Sequence, residues 1–333
     1  MSAGMRAVRI REFGNLATAG VVDGDAPVPG AGEVVIDVEA VPVNFVDLVT
    51  MRGAYQFRPA LPYTPGKGPA GYVSAVGPGI EHLKVGDRVL GMAEYGGYAE
   101  KCVVRGDQAY LLPEDLGFVD AAAMSLSFDT AWMGLVERGR LAPGESVLVL
   151  GASGAVGGAA VQLAKALGAG TVLAGISDPS RFQQVANFGA DDYVLQSGPN
   201  LRDTLRDRVM ELTDGRGVDV VIDAIGGDAF DGAVRAVAWR GRLVIVGFAA
   251  GRIPTLKMNY PMLKNIEVSG LQISDYRKRA PELMRECFDS IFGLYSKGLL
   301  TPPRSETFAL DDWRRAVEAL ASKSTRARLV LTP

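Results

Sequence analysis

From Ser146 the chain reads Ser-Val-Leu-Val-Leu-Gly-Ala-Ser-Gly-Ala-Val-Gly-Gly, then continues through an Ala- and Leu-rich stretch to Gly168. An unbroken apolar run of this length suits a strand buried on both faces of a parallel sheet, and the stretch after it has helical spacing. The turn between them is rich in glycine. Gly154 and Gly157 take the second and third glycine positions of a G-x-G-x-x-G fingerprint, and Ala152 stands at the first. There a missing side chain lets a pyrophosphate and the strand come close to the helix. The N–H groups at the helix start supply donors and a partial positive charge for an anion. Ser153, Gly154, Ala155, Val156 and Gly157 are therefore the candidate cradle for a dinucleotide.

The rest of the chain has two rhythms. Residues 5 to about 125 read as short strands broken by Gly and Pro, with Val34, Ile36, Val38 and Ala40 alternating along a strand buried mainly on one face. Asn44 to Met51 reads as a short helix or turn. From Leu126 strand and helix alternate, with strands expected at Ser146–Leu150, Thr171–Ile176, Asp192–Leu195, Val218–Ala224, Arg242–Val246 and Glu267–Gly270. Helical periodicity covers Arg181–Phe188, Leu201–Leu212 and Ala229–Val237. Six strands with crossover helices predict an α/β fold with a doubly wound parallel sheet beside a β-rich domain. A last strand at Ala327–Leu331 is expected to return to the first domain.

Composition removes several function classes. A net charge of -3 without a basic cluster argues against nucleic acid as a partner. No run of about 18 apolar residues is present and the start lacks a signal-peptide core, so a cytoplasmic protein without membrane association is expected. Cys102 and Cys287 lie far apart, and the one histidine, His82, sits in a polar loop. A zinc site of the usual His and Cys ligands is hard to build from these, and no metal is expected.

An NAD-binding strand of this kind ends in an acid that holds both ribose hydroxyls. Ile176 stands at that position and cannot do so. Ser177 and Arg181 follow, a hydroxyl and a guanidinium suited to a 2′-phosphate, which favours NADPH. Ser177 and Asp178 equally suit capping of the helix that begins at Pro179. Ile225, at the close of the fourth strand, and Gly247 and Phe248, at the end of the fifth, are expected near the nicotinamide half; interdomain packing is the other use for Phe248.

Asn44-Phe45-Val46-Asp47, Arg52-Gly53-Ala54-Tyr55, Leu61-Pro62-Tyr63-Thr64-Pro65-Gly66, Gly86-Asp87-Arg88-Val89, Gly96-Gly97-Tyr98-Ala99-Glu100 and the turn from Ala152 to Gly157 follow one another along nearly the whole chain. In this order they resemble the zinc-independent medium-chain dehydrogenases/reductases, closest to the NADPH:quinone oxidoreductase and enoyl reductase branch. The resemblance implies a GroES-like catalytic domain from residues 1–125 and 272–333, a Rossmann NADPH-binding domain over 126–271, and an active site in the cleft between them. It also implies a homodimer joined through the edge strand, for which Ile266 to Leu271 is the candidate. Zinc members carry Cys, His and Glu where Asn44, Lys67 and Gly68 stand. The turn Gly66-Lys67-Gly68-Pro69-Ala70-Gly71 departs from the quinone-reductase pattern, and Val49 stands where several members carry Tyr.

By the same resemblance Asn44 and Asp47 lie near the nicotinamide and Thr130 touches its ring; the first two equally suit a turn held by side-chain bonds to backbone. Tyr55 and Lys67 are the candidate proton donors, since hydride addition to a conjugated acceptor leaves an anion that must be protonated. The expected substrate is a small electron-poor molecule, a quinone or an α,β-unsaturated carbonyl. The alternatives are an enoyl-thioester reductase and a non-catalytic NADPH-binding protein.

Overall fold

The computed structural model describes residues 4–322 and 325–333. The chain divides into two compact units, Met1–Leu126 with Arg277–Phe288 and Pro302–Pro333, and Ser127–Tyr276 with Asp289–Thr301. This division sets Gln272–Tyr276 and Asp289–Thr301 with the second unit, past the expected boundary at residue 272. Gln162 shows why, because its side chain accepts from the Thr301 N–H at 2.8 Å and donates to the Thr301 carbonyl at 3.1 Å.

In the first unit, β1 (Gly4–Arg9) and β2 (Gly20–Asp25) form an antiparallel pair. β3 (Glu33–Pro42) leads into α1 (Phe45–Met51), and β4 (Ala70–Val76), β5 (Arg88–Gly91), β6 (Lys101–Arg105) and β7 (Ala109–Leu111) follow. β3 pairs antiparallel with β4 and with β6. It is not buried on one face only: Val35 and Val41 are buried along with Val34, Ile36, Val38 and Ala40. A strand with neighbours on both edges and cover on both faces takes apolar residues at consecutive positions.

The second unit begins within α2 (Phe118–Trp132), which continues as a π-helical stretch, Met133–Arg138. β8 (Ser146–Leu150), α3 (Ala155–Ala166), β9 (Thr171–Ile176), α4 (Phe182–Ala186), β10 (Asp192–Leu195), α5 (Leu201–Leu212), β11 (Val218–Asp223), α6 (Gly227–Ala236), β12 (Val237–Ile245), α7 (Asn259–Lys264) and β13 (Glu267–Gly270) then alternate. The sheet is parallel throughout, in the order β10-β9-β8-β11-β12-β13. The winding reverses between β8 and β11, and in such sheets the carboxyl ends at that point form the ligand crevice. β12 begins at Val237, five residues before the expected Arg242. Its register slips between Val218 and Val220 of β11, and Arg240 there has a φ of 63°. That irregularity breaks the sequence alternation and hides the start of the strand.

α8 (Ile273–Arg279) and α9 (Pro281–Ser296) follow, then β14 (Ser305–Ala309), α10 (Trp313–Ser322) and β15 (Arg328–Thr332). β15 lies between β14 and β3, so the last strand does return to the first sheet. Each unit has its own core, one including Ile36, Val89, Trp313 and Leu331, the other Leu148, Val221, Phe230 and Leu243. Among the described residues no helix is long and apolar enough to cross a membrane.

Candidate functional site

The cradle begins where β8 ends. Gly151, with φ +75°, makes the tight turn that the fingerprint assigns to its first glycine, so Ala152 is not a substitute for it; Ala152 is buried and its N–H bonds the Gly175 carbonyl of β9 at 3.0 Å. A Cβ on Gly157 would lie 2.1 Å from the Gly151 carbonyl oxygen, so only glycine lets α3 sit this close to the turn. A Cβ on Gly154 would meet only that same oxygen, at 3.2 Å. Gly154 is the N-cap of α3 and offers no side-chain acceptor, which leaves the first N–H groups of Ala155, Val156 and Gly157 without a helical partner. Ser153, Ala155 and Val156 are half-buried around this opening. An anion of pyrophosphate type fits such a donor set.

Ile225, Gly247 and Phe248 follow the carboxyl ends of β11 and β12. Ile225 packs on the glycine turn, its Cδ1 2.8 Å from where a Gly151 Cβ would be. Phe248 packs on Gly226 in the same manner, and the Gly247 N–H points to the Asp223 carbonyl at 3.3 Å. Sequence reading missed Asp223, which organises this group: one carboxylate oxygen accepts from the N–H groups of Ile225 and Gly226, both at 2.8 Å. Its side chain is fully buried, and burial pushes its carboxyl above the ordinary value despite those two donors.

Ser177 is exposed just past β9, and Arg181 is half-buried in the turn that follows. Asp178, not Ser177, caps that turn, accepting from the Ser180 N–H at 2.9 Å and hydroxyl at 2.7 Å. A second missed residue, Gln196, ties the pieces together: it accepts from the Gly151 N–H at 2.7 Å and donates to the Ser177 hydroxyl at 3.3 Å. Its signal in the sequence was a polar residue directly after a strand. Thr130, buried on α2, donates to Asp129 at 3.2 Å.

The four catalytic candidates meet in the first unit. Asn44, Asp47 and Lys67 are buried, and Tyr55 is half-buried. The Asn44 N–H donates to Asp47 at 3.0 Å, closing the first turn of α1 with an acid. The Asn44 side chain donates to the Lys67 carbonyl at 3.3 Å and accepts from Arg328 at 2.9 Å. The Lys67 ammonium bonds Glu94 and stands 5.9 Å from the centre of the Tyr55 ring. Glu94, Arg277 and Arg328 were not found from the sequence, because only the fold brings them beside Lys67 and Asn44.

Electrostatics here is dominated by burial. Asp47 is pushed up to about 6, held back by the Asn44 N–H and the Lys67 charge. The nearby Tyr98 and Tyr63 phenols are raised, first by burial and then by the Asp47 charge, and burial lowers Arg328 to about 10. Asp47 therefore binds a proton more tightly folded than unfolded. Its contribution favours the fold most below about pH 4 and is lost as pH rises to about 6. Asp47→Asn should abolish a pH-dependent loss of stability on the order of 1–3 kcal/mol across that window. Urea unfolding of both proteins at pH 4 and 7 measures it; parallel losses in the two would refute the assignment.

Among the described residues no three His, Cys, Asp or Glu side chains are grouped so as to hold a metal ion.

Residues 30–115 match the family described as alcohol dehydrogenase GroES-like domain, and residues 155–289 match the family described as zinc-binding dehydrogenase. A quinone oxidoreductase-like protein 2 homolog of Nematostella vectensis is 36% identical over 304 residues, 91% of this chain and 82% of that protein. A mycocerosic acid synthase-like polyketide synthase of Mycobacterium tuberculosis is 31% identical over 99% of this chain, which spans 15% of that protein. A mycobacterial protein solved in complex with NADPH superposes with a TM-score of 0.88 at 30% identity, covering 99% of this chain and 100% of that one. With the reversed parallel sheet, the glycine cradle and the β-rich unit, these matches place the chain in a family: it belongs to the quinone oxidoreductase branch of the medium-chain dehydrogenase/reductase superfamily.

Proposed function

We propose that the chain is a zinc-independent reductase that uses NADPH to reduce an electron-poor conjugated acceptor, a quinone or an α,β-unsaturated carbonyl. The observation that carries this reading is the buried Lys67 ammonium beside Asn44, Asp47 and Tyr55. An ammonium has no lone pair for a metal, yet it can receive the oxyanion that forms on the acceptor and donate the proton that completes reduction. NADPH, when bound, supplies the hydride. The N–H groups of Ala155, Val156 and Gly157 would hold its pyrophosphate, Ser153 and Gly154 would border it, and Ile225, Gly247, Phe248 and Thr130 would face its nicotinamide half. Tyr55 would wall the acceptor or share in proton delivery. NADPH oxidation across quinones, enones and enoyl thioesters tests the reading. Tight cofactor binding with no turnover on any of them would leave a binding protein instead.

NADPH over NADH is supported by the buried Ile176 at the end of β9, by Ser177 and Arg181 after it, and by the NADPH complex of the mycobacterial neighbour. Arg181→Ala should lower kcat/KM for NADPH by about tenfold or more, the loss expected for a charge-assisted phosphate contact, and leave that for NADH unchanged. Equal losses with both cofactors would contradict the role.

An enoyl thioester as the acceptor is a second reading, favoured by the likeness to the polyketide synthase over 99% of the chain. We further propose a homodimer joined through β13. Among the described residues β13 pairs with β12 alone, and Ile253, Met258, Met262 and Leu263 nearby in sequence are exposed apolar side chains. Sedimentation at micromolar concentration should give twice the chain's 35.2 kDa; a monomer would refute this.

A further inference from the structure

Glu94, in the loop after β5, splits its carboxylate between two buried cations. One oxygen takes the Lys67 ammonium, and the other faces the Arg277 guanidinium of α8 at 3.6 Å. Arg277 is fully buried, and its own carbonyl accepts from the Gln108 side chain at 3.1 Å, which anchors the helix end that carries it. Lys67 is held just as firmly. Its carbonyl accepts from Asn44, and it stands between Gly66 and Gly68, whose φ values are +99° and +77°. The Tyr55 ring covers another side of the ammonium at 5.9 Å. An ammonium has three N–H donors, and the bond to Glu94 occupies one of them.

We propose that Glu94, braced by Arg277, is the positioning residue that aims the Lys67 ammonium for proton donation. This rests on Lys67 being the donor in the reaction proposed above. The hydride forms a new C–H bond on the acceptor and a π pair moves to the acceptor's carbonyl or quinone oxygen. A Lys67 N–H bond then breaks, its electron pair stays on nitrogen, and its proton joins the enolate carbon, or the enolate oxygen when the acceptor is a quinone, whose new ring C–H then tautomerises to give the quinol. The neutral amine regains a proton from solvent. The charged and titratable groups facing Lys67 are Asp47 of α1, Tyr55 in the segment after it, Glu94 after β5, and, through Glu94, Arg277 of α8.

The test compares the full chain with Glu94→Gln, Glu94→Asp and Lys67→Ala. The first readout is the rate of reductive methylation of Lys67 against pH by mass spectrometry, which needs no turnover. Glu94→Gln should speed methylation by about tenfold or more, because the carboxylate that engages the ammonium has been removed. It should also lower kcat by about 10²-fold, the cost of a misaimed reacting group. The NADPH Kd, read by fluorescence, should not change. Glu94→Asp keeps the charge and should restore most of the methylation profile, and it serves as the decisive variant should Glu94→Gln not fold. Unchanged methylation in Glu94→Gln, or a Glu94→Asp profile displaced as far as that expected for the loss of charge, overturns the positioning role. Altered methylation with full turnover in both Lys67→Ala and Glu94→Gln overturns the donor reading instead, and the role of Glu94 falls with it.

Discussion

Gly157→Ala should lose about 3 kcal/mol or more of stability, toward or beyond the upper end of what overpacking costs, together with cofactor binding. The added methyl would lie 2.1 Å from the Gly151 oxygen and 2.5 Å from its carbonyl carbon. Both are backbone atoms at the end of a buried strand, so α3 or the turn must move, and the N–H groups proposed to hold the pyrophosphate move with it. Gly154→Ala is the control. There the methyl has one contact, at 3.2 Å, so stability should change by less than about 1 kcal/mol while NADPH binds about tenfold more weakly, the methyl now occupying the anion's side of the turn. Urea unfolding and cofactor titration separate the two effects. A Gly157→Ala protein as stable as the parent would refute the close approach, and unaltered NADPH affinity in Gly154→Ala would move the pyrophosphate elsewhere.

Lys67→Ala should lower kcat by about 10²- to 10⁴-fold with any acceptor the protein reduces, the range that positioned proton transfer contributes. KM for NADPH should stay within about twofold, since a lost transition-state interaction falls on kcat rather than on uniform binding. Tyr55→Phe discriminates between the two donors. It keeps the ring beside the ammonium and removes only the hydroxyl, so with Lys67 as donor turnover should stay within about threefold of the parent. Steady-state kinetics on purified variants decides between them: full turnover in Lys67→Ala removes the ammonium from the mechanism, and a collapse confined to Tyr55→Phe assigns the step to the phenol.

The parts legible in the sequence were those whose physics is local. β8 and β9 fall where apolar runs between turn residues put them, because strands buried in a parallel sheet need apolar residues at nearly every position. The cradle was readable because its glycines answer to atoms a few residues away. β14 was not: Ser-Glu-Thr-Phe-Ala is an edge strand, largely exposed, and shows no apolar face to find. Ser177 and Asp178 both suited the capping role from sequence, and it is Asp178 that performs it, its side chain accepting from the Ser180 N–H. In the candidate site, Asn44, Asp47, Tyr55 and Lys67 sit within one stretch of chain and could be named together. Glu94, Arg277 and Arg328 could not, because a long-range charge contact leaves no period or spacing to detect.

β15 pairs with β3, the strand that leads to Asn44, and the bond from Arg328 to Asn44 spans 284 positions along the chain. During synthesis, β3 and α1 therefore leave the ribosome long before the strand and the guanidinium that finish their surroundings. All six strands of the parallel sheet, by contrast, are made before β14 and β15 begin. The parallel-sheet unit can thus close first, while the earlier-made unit waits with an open flank at β3, an order opposite to the usual start from the N-terminus. A ribosome-bound chain arrested before β15 should show a protease-resistant parallel-sheet unit beside a still labile first unit.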